Sequence, residues 1–185
     1  MAAPVREPDT REVRVPAGAV QRLALRYGAG TGLACVLWMV GLQLTGSNGF
    51  GPKQLLAQLL VPLVAVASQW LLREAAKPNK PGLGASLGVG LLTALLAAVI
   101  STAGVVGLAY GAGEPAIARH RAEVLEIVRA QQRENPKAVA SAAVRAQQVA
   151  QVQHMTIGNM ATSNFLQVLV LGLVLAVPAG IFLRE

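Results

Sequence analysis

PGLGASLGVGLLTALLAAVISTAGVVGLAYGAG, residues Pro81–Gly113, runs for 33 positions without Asp, Glu, Lys or Arg. A helix rising 1.5 Å per residue needs about 20 apolar residues to cross roughly 30 Å of hydrocarbon. This stretch exceeds that length. Three further windows share its character. Gly28–Leu44 lies between Arg26 and Lys53, Leu55–Leu72 between Lys53 and Arg73, and Phe165–Leu183 between His154 and Arg184. One charge at the centre of a membrane helix costs about 2.5–3.5 kcal/mol. Backbone polar groups in lipid must be satisfied within the segment, so each span is helical. The sequence therefore predicts an all-α integral membrane four-helix bundle.

The composition agrees. Of 185 residues, 54% are apolar types and 14% charged, against about a quarter charged in soluble domains. The mean hydropathy is +0.50. A single cysteine excludes a disulfide scaffold or a Cys-based zinc site. Cys35 follows Leu33-Ala34, but Gly32 stands where a lipoprotein signal wants a larger aliphatic residue, so Cys35 reads as a packed residue in an uncleaved anchor. Six of the seven aromatics (Tyr27, Phe50, Trp70, Tyr110, Phe165, Phe182) fall at predicted span boundaries, and Trp38 falls mid-span. Pro62 and Pro178 lie inside spans two and four, where each removes a backbone donor and is expected to bend its helix.

These readings divide the chain into a flexible cytoplasmic arm, 1–20, three spans within 21–113 (about 28–45, 55–72 and 84–110), an external helical hairpin, 114–162, and a fourth span with the C-terminus, 163–185. Lys and Arg number five in the arm, one in the first link, three in the second, six in the third and one at the end. The first three segments place both termini in the cytoplasm by the positive-inside rule, and the third link outside. The net charge of +7 is spread over several segments, which points to anionic headgroups rather than to nucleic acid.

Within the hairpin, Glu114-Pro115 opens one helix and Asn135-Pro136 ends it, with Asn135 as cap of the second. Arg119, Glu123, Glu126 and Arg133 share a face that reads as solvated, opposite Ile117, Val124, Leu125 and Val128. Arg121 interrupts the apolar face. It is a candidate contact to lipid headgroups, or to a partner carboxylate. On the second helix Val139, Ala143, Ala146, Ala150 and Ile157 form the face expected to pack on the first, with Gln147, Gln148 and Gln151 opposite. Gly158-Asn159 and Thr162-Ser163-Asn164 are alternative breaks before span four. In span three, Gly84-x-x-x-Gly88 and Gly107-x-x-x-Gly111, with Ser101 and Gly104 between, are candidate helix-packing positions and place this span centrally.

No catalytic, cofactor or metal constellation is visible. His120 and His154 have no Cys, Asp or Glu at ligand spacing, no Gly-rich phosphate loop is present, and the spans carry no acid or histidine. The expected function is non-enzymatic and without a cofactor: an interaction or structural subunit acting through the hairpin on a protein partner. A homo-oligomer is a second form of partnership. The alternative is a small transporter or pore-forming subunit, with Gln58, Gln69, Ser101 and Thr102 lining a polar path.

Three close-set spans, the end of the third at Gly107-Leu108-Ala109-Tyr110-Gly111, and the fourth running from Val170-Leu171-Gly172 through Pro178-Ala179-Gly180 to Arg184 resemble a four-span bacterial membrane protein family, domain of unknown function 4199. The resemblance covers about residues 20–185. It implies the bacterial cytoplasmic (inner) membrane and supplies no catalytic residues.

Overall fold

The structure, a computed structural model, describes residues 18–134 and 141–183. Helix α1 spans Ala19–Leu44. A single 3-10 turn, Pro52–Gln54, leads into α2, Leu55–Gln58, and α3, Leu60–Ala76. Then come α4, Leu83–Glu134, α5, Ala142–Gln153, and α6, Ile157–Phe182. Four helical segments are long and apolar enough to cross a membrane: Ala19–Leu44, Pro52–Ala76, the first part of Leu83–Glu134, and Ile157–Phe182. The protein is an all-helical multi-pass membrane protein. Residues 1–17 of the arm, the Asn135 cap and Val139 lie outside the described residues.

Local chemistry sets the breaks. Pro62 has no N–H for the Gln58 carbonyl, and helical bonding lapses at Leu59, between α2 and α3. Helix α6 runs through Pro178 as one element. Within α4 a single residue is non-helical, Gly113, at φ 71° and ψ −175°. That φ is strained for any residue with a Cβ. Glu114 and Pro115 follow it, and proline sacrifices nothing at the start of a new helical stretch. The junction between α5 and α6 falls at His154–Thr156, ahead of both breaks expected from sequence. Asn159 is part of the cap there: its N–H donates to Thr156 Oγ1 at 3.2 Å, and its Oδ1 accepts from Thr156 N–H at 3.0 Å.

Helices α3 and α4 pack on each other, and each also packs on both α1 and α6. Span three is thus central, as its small residues predict. The core is built largely from alanine, with Ala65, Ala94, Ala97 and Ala98 fully buried. Leucines such as Leu37, Leu56 and Leu63 point outward, as a lipid-facing surface requires.

The close approaches are not where the motifs of span three put them. Cβ atoms on Gly84, Gly107 or Gly111 would meet nothing within 4 Å, and one on Gly88 would make only ordinary contact with Val20. Of the expected positions, Gly104 and Ser101 face a neighbour: a Cβ on Gly104 would lie 2.3 Å from Val36 Cγ2, and Ser101 is buried. Further tight contacts come from glycines on other helices. A Cβ on Gly32 would lie 2.7 Å from Ile100 Cβ, and one on Gly172 would lie 2.5 Å from Ala94 Cβ. Spacing within one helix says which residues share a face, but not whether that face is covered. Accordingly, Gly107→Leu should leave the thermal unfolding midpoint in detergent within about 2 °C of wild type, since a ~0.5 kcal/mol change is the usual ceiling for uncrowded sites. A drop of 5 °C or more would show that this face is occupied.

Candidate functional site

Two polar systems stand out. The first is a seam of uncharged side chains inside the spans. Gln58 Nε2 donates to Asn164 Oδ1 at 2.9 Å, and Asn164 Nδ2 donates to Ser101 Oγ at 3.1 Å and Thr102 Oγ1 at 3.2 Å. Thr93 Oγ1 reaches Ser68 Oγ at 3.1 Å, and Gln69 Nε2 donates to the Ala176 carbonyl at 2.7 Å. Gln58, Gln69 and Ser101 are 1%, 0% and 0% exposed. Of the residues expected to line a polar path, Gln58, Ser101 and Thr102 are bonded to Asn164 and Gln69 to the Ala176 carbonyl, which ties α2, α3 and α4 to α6. Asn164, read from sequence as a helix break, is the hub. It sits on a stripe of α6, with Met160, Val168, Gly172, Ala176 and Gly180, that is buried at strict four-residue spacing.

The second system lies where α4 emerges beyond Gly113. The link after α1 docks against it. Asn48 Nδ2 donates to Glu123 Oε2 at 2.7 Å and to His120 Nδ1 at 3.2 Å, while Asn48 Oδ1 accepts from Phe50 N–H at 2.9 Å. With the amide held this way, His120 Nδ1 must be an acceptor, so its ring is neutral with the hydrogen on Nε2. The Phe50 ring packs on His120 at 5.8 Å between centroids. Arg119 donates to the carbonyls of Gly46, at 3.1 Å, and Ser47, at 2.8 Å. Arg119 and Glu123, expected to be merely solvated, therefore form a docking face, while Glu126 and Arg133 on the same face are exposed. Trp38, expected mid-span, donates its Nε1–H to the Lys53 carbonyl at 3.0 Å, so it marks this same end of the bundle.

On the other side of α4, Arg121 finds partners within the chain. Its Nη1 donates to Glu114 Oε1 at 2.6 Å and its Nε to the Met155 carbonyl at 3.0 Å. A residue expected to contact lipid headgroups or a partner thus also braces the α5–α6 junction. The packing of α5 also departs from expectation. Ala143, Ala146 and Ala150 are exposed. Val152 is the buried residue of α5, and Gln132 Nε2 donates to Gln148 Oε1 at 3.0 Å and to the Arg145 carbonyl at 3.3 Å. Short alanines add little contact area, whereas valine and long amides fill the gap between two helices.

Burial lowers the His120 pKa below its ordinary 6.5, and the Glu123 carboxylate pulls it back up more weakly. A depressed histidine adds stability above its unfolded pKa, and that share is lost as pH falls through the folded value. Protonation would also set an N–H against the Asn48 amide donor. As pH falls from about 6.5 through the lower folded value, the Asn48 link should loosen from α4, and hydrogen exchange at residues 46–50 should speed up more than in a His120→Phe variant. Equal acceleration in both would remove His120 from the account.

An uncharged groove runs between α4 and α5, about 610 Å³, lined among others by Gln131, Gln148, Gln151 and His154. Met155, Asn159 and Ser163 also line a cavity of about 200 Å³ beneath it, with Phe50, His120 and Asn164. Among the described residues no three His, Cys, Asp or Glu side chains converge as a metal site would need.

Sequence reasoning noted His120 only as a lone histidine and passed over Asn48. The Gly46–Pro52 link, with three glycines around Asn48, was the available signal of a structured turn. A family profile described as protein of unknown function (DUF4199) matches residues 26–185. No curated protein and no solved structure matches.

Proposed function

The chain belongs to the DUF4199 family of proteins of unknown function, and from that premise we propose a non-enzymatic interaction subunit acting through the α4–α5 hairpin. The hairpin stands outside the cytoplasmic membrane of a bacterium, both termini lie in the cytoplasm, and a protein partner binds the hairpin. The observation that carries this reading is the bracing of α4 beyond Gly113. Asn48 and Arg119 contacts hold it from the α1 side, and Arg121 holds it from the α6 side. A surface fixed from two sides can be recognised without first paying to order itself. The distribution of Lys and Arg supports the orientation. The pore reading is weaker, because Gln58 and Gln69 are shut from solvent and hydrogen-bonded across helices.

Topology is testable with little background, since Cys35 is the one cysteine and is buried. In a Cys35→Ala background, Arg129→Cys should react with an impermeant maleimide in intact cells, and Lys77→Cys only after permeabilisation. The reverse pattern overturns the orientation. A photo-crosslinking residue at exposed Ala146 should capture a protein of defined mass in cells. No adduct there, or at Gln147, overturns the interaction role.

A further inference from the structure

We propose that the α4–α5 groove and the cavity beneath it form one binding site for a neutral, hydroxyl-rich group, a short glycan. The inference goes beyond the protein contact proposed above and rests only on the hairpin lying outside the membrane.

The hairpin keeps its charges to one side. Glu126, Arg129, Arg133 and Arg145 gather at one depression. The groove and the cavity are lined by no Asp, Glu, Lys or Arg. Their polar groups are carboxamides, one serine hydroxyl and two imidazoles, and among the carboxamides are Gln131, Gln148, Gln151, Asn159 and Gln167. For solubility alone a charged side chain serves better. A carboxamide donates twice and accepts, which matches a hydroxyl that also does both. A charged ligand would enter without a counter-charge and lose its hydration.

The inner end is unfinished in the same sense. Gln54 lines the cavity, and its Oε1 is buried with no hydrogen-bond partner. His120 also lines it; its Nδ1 is occupied by Asn48, and its Nε2–H has no acceptor among the described residues. One acceptor and one donor thus await a group that offers both. Val105, Met160 and the Phe50 ring form an apolar wall beside them, suited to the C–H face of a sugar ring. The cavity, about 200 Å³, admits one ring-sized group, and the groove, about 610 Å³, takes its continuation. Met155, Asn159 and Ser163 line both, so the two adjoin.

A hydroxyl-rich group at this depth can come from a soluble oligosaccharide or from the headgroup of an uncharged glycolipid. Full-length protein in phosphatidylcholine nanodiscs is titrated with maltotriose and with triacetylchitotriose, read by saturation-transfer NMR. In a second arm the nanodiscs contain digalactosyldiacylglycerol, and binding is read as a rise in the unfolding midpoint over lipid-only discs. A neutral Gly-Ser hexapeptide is the comparison probe. Binding in either arm, weakened at least tenfold by Gln151→Ala and by Gln54→Leu, supports the site. The arm that responds identifies the source. Gln54→Leu removes an unpaired acceptor, so its own midpoint should not fall. If it does fall, Gln151→Ala, on the exposed side of α5, carries the result. Silence in both arms, binding indifferent to Gln151→Ala, or binding of the hexapeptide alone overturns the proposal. The labelling and cross-linking experiments above contain no sugar, so failure of the hairpin reading is seen separately.

Discussion

Gly172→Ala should lower the unfolding midpoint in detergent by several degrees, and Gly172→Leu should prevent recovery of a monodisperse protein. The added Cβ would sit 2.5 Å from Ala94 Cβ and 3.2 Å from Val61 Cγ1. Ala94 has no torsion that moves its Cβ away, so α4 and α6 must part. Overpacking of this kind costs about 1–3 kcal/mol for small additions, and a chain of this size loses about 2–4 °C per kcal/mol. The leucine has nowhere to go without separating α6 from both α3 and α4. Because Asn164 lies on the same stripe, that separation also breaks its bonds to Gln58 and Ser101. Wild-type behaviour of Gly172→Leu would mean that α6 does not pack on α4 at this level.

Asn164→Leu should cost about 2–3 kcal/mol, although leucine nearly matches asparagine in size. Three hydrogen bonds disappear. Bonds between membrane helices average only about 0.6 kcal/mol each, so their loss is not the whole effect. The larger part is Gln58. Its Oε1 already lacks a partner and its Nε2 bonds to Asn164, so the substitution leaves a buried amide with nothing. Replacing both members of such a pair is far milder than replacing one. The double variant Gln58→Leu with Asn164→Leu should therefore unfold above the single Asn164→Leu. A double variant no more stable than the single would show that the seam acts through shape and not through hydrogen bonding.

The sequence made the four spans legible because hydrocarbon imposes a length and forbids charge, and both are one-dimensional properties. Pairing between spans is not one-dimensional. Gln58, Gln69 and Asn164 look alike as isolated amides in apolar runs, and only the rotation of each helix decides which meet. The same limit explains the glycines. Gly107 and Gly111 carry the familiar spacing yet face outward, while Gly28 and Gly32, with identical spacing in α1, press against Thr93 and Ile100 of α4. Reading that spacing in α1 as well would have found them. In the hairpin, apolar periodicity alone predicts the alanine face of α5 as the buried one. The alanines carry too little surface for the choice to be decided that way, and Val152 with Gln148 won. The brace at Arg121 is not legible in sequence because its acceptors, Glu114 and the Met155 carbonyl, come from two turns earlier in α4 and from a junction whose position the sequence leaves open.

Beyond Gly113, α4 carries 21 more residues to Glu134, an arm of about 30 Å at 1.5 Å per residue. The clamps on that arm all lie in its first three turns, from Glu114 to Glu123. A load applied near Glu134 thus works through a long moment against short, closely spaced fasteners. A swing of about 10° at the root would carry the tip of a ~30 Å arm roughly 5 Å sideways. Whatever grips the far end gains mechanical advantage over the Asn48 link and the α6 cap, and so over the two spans to which they are joined.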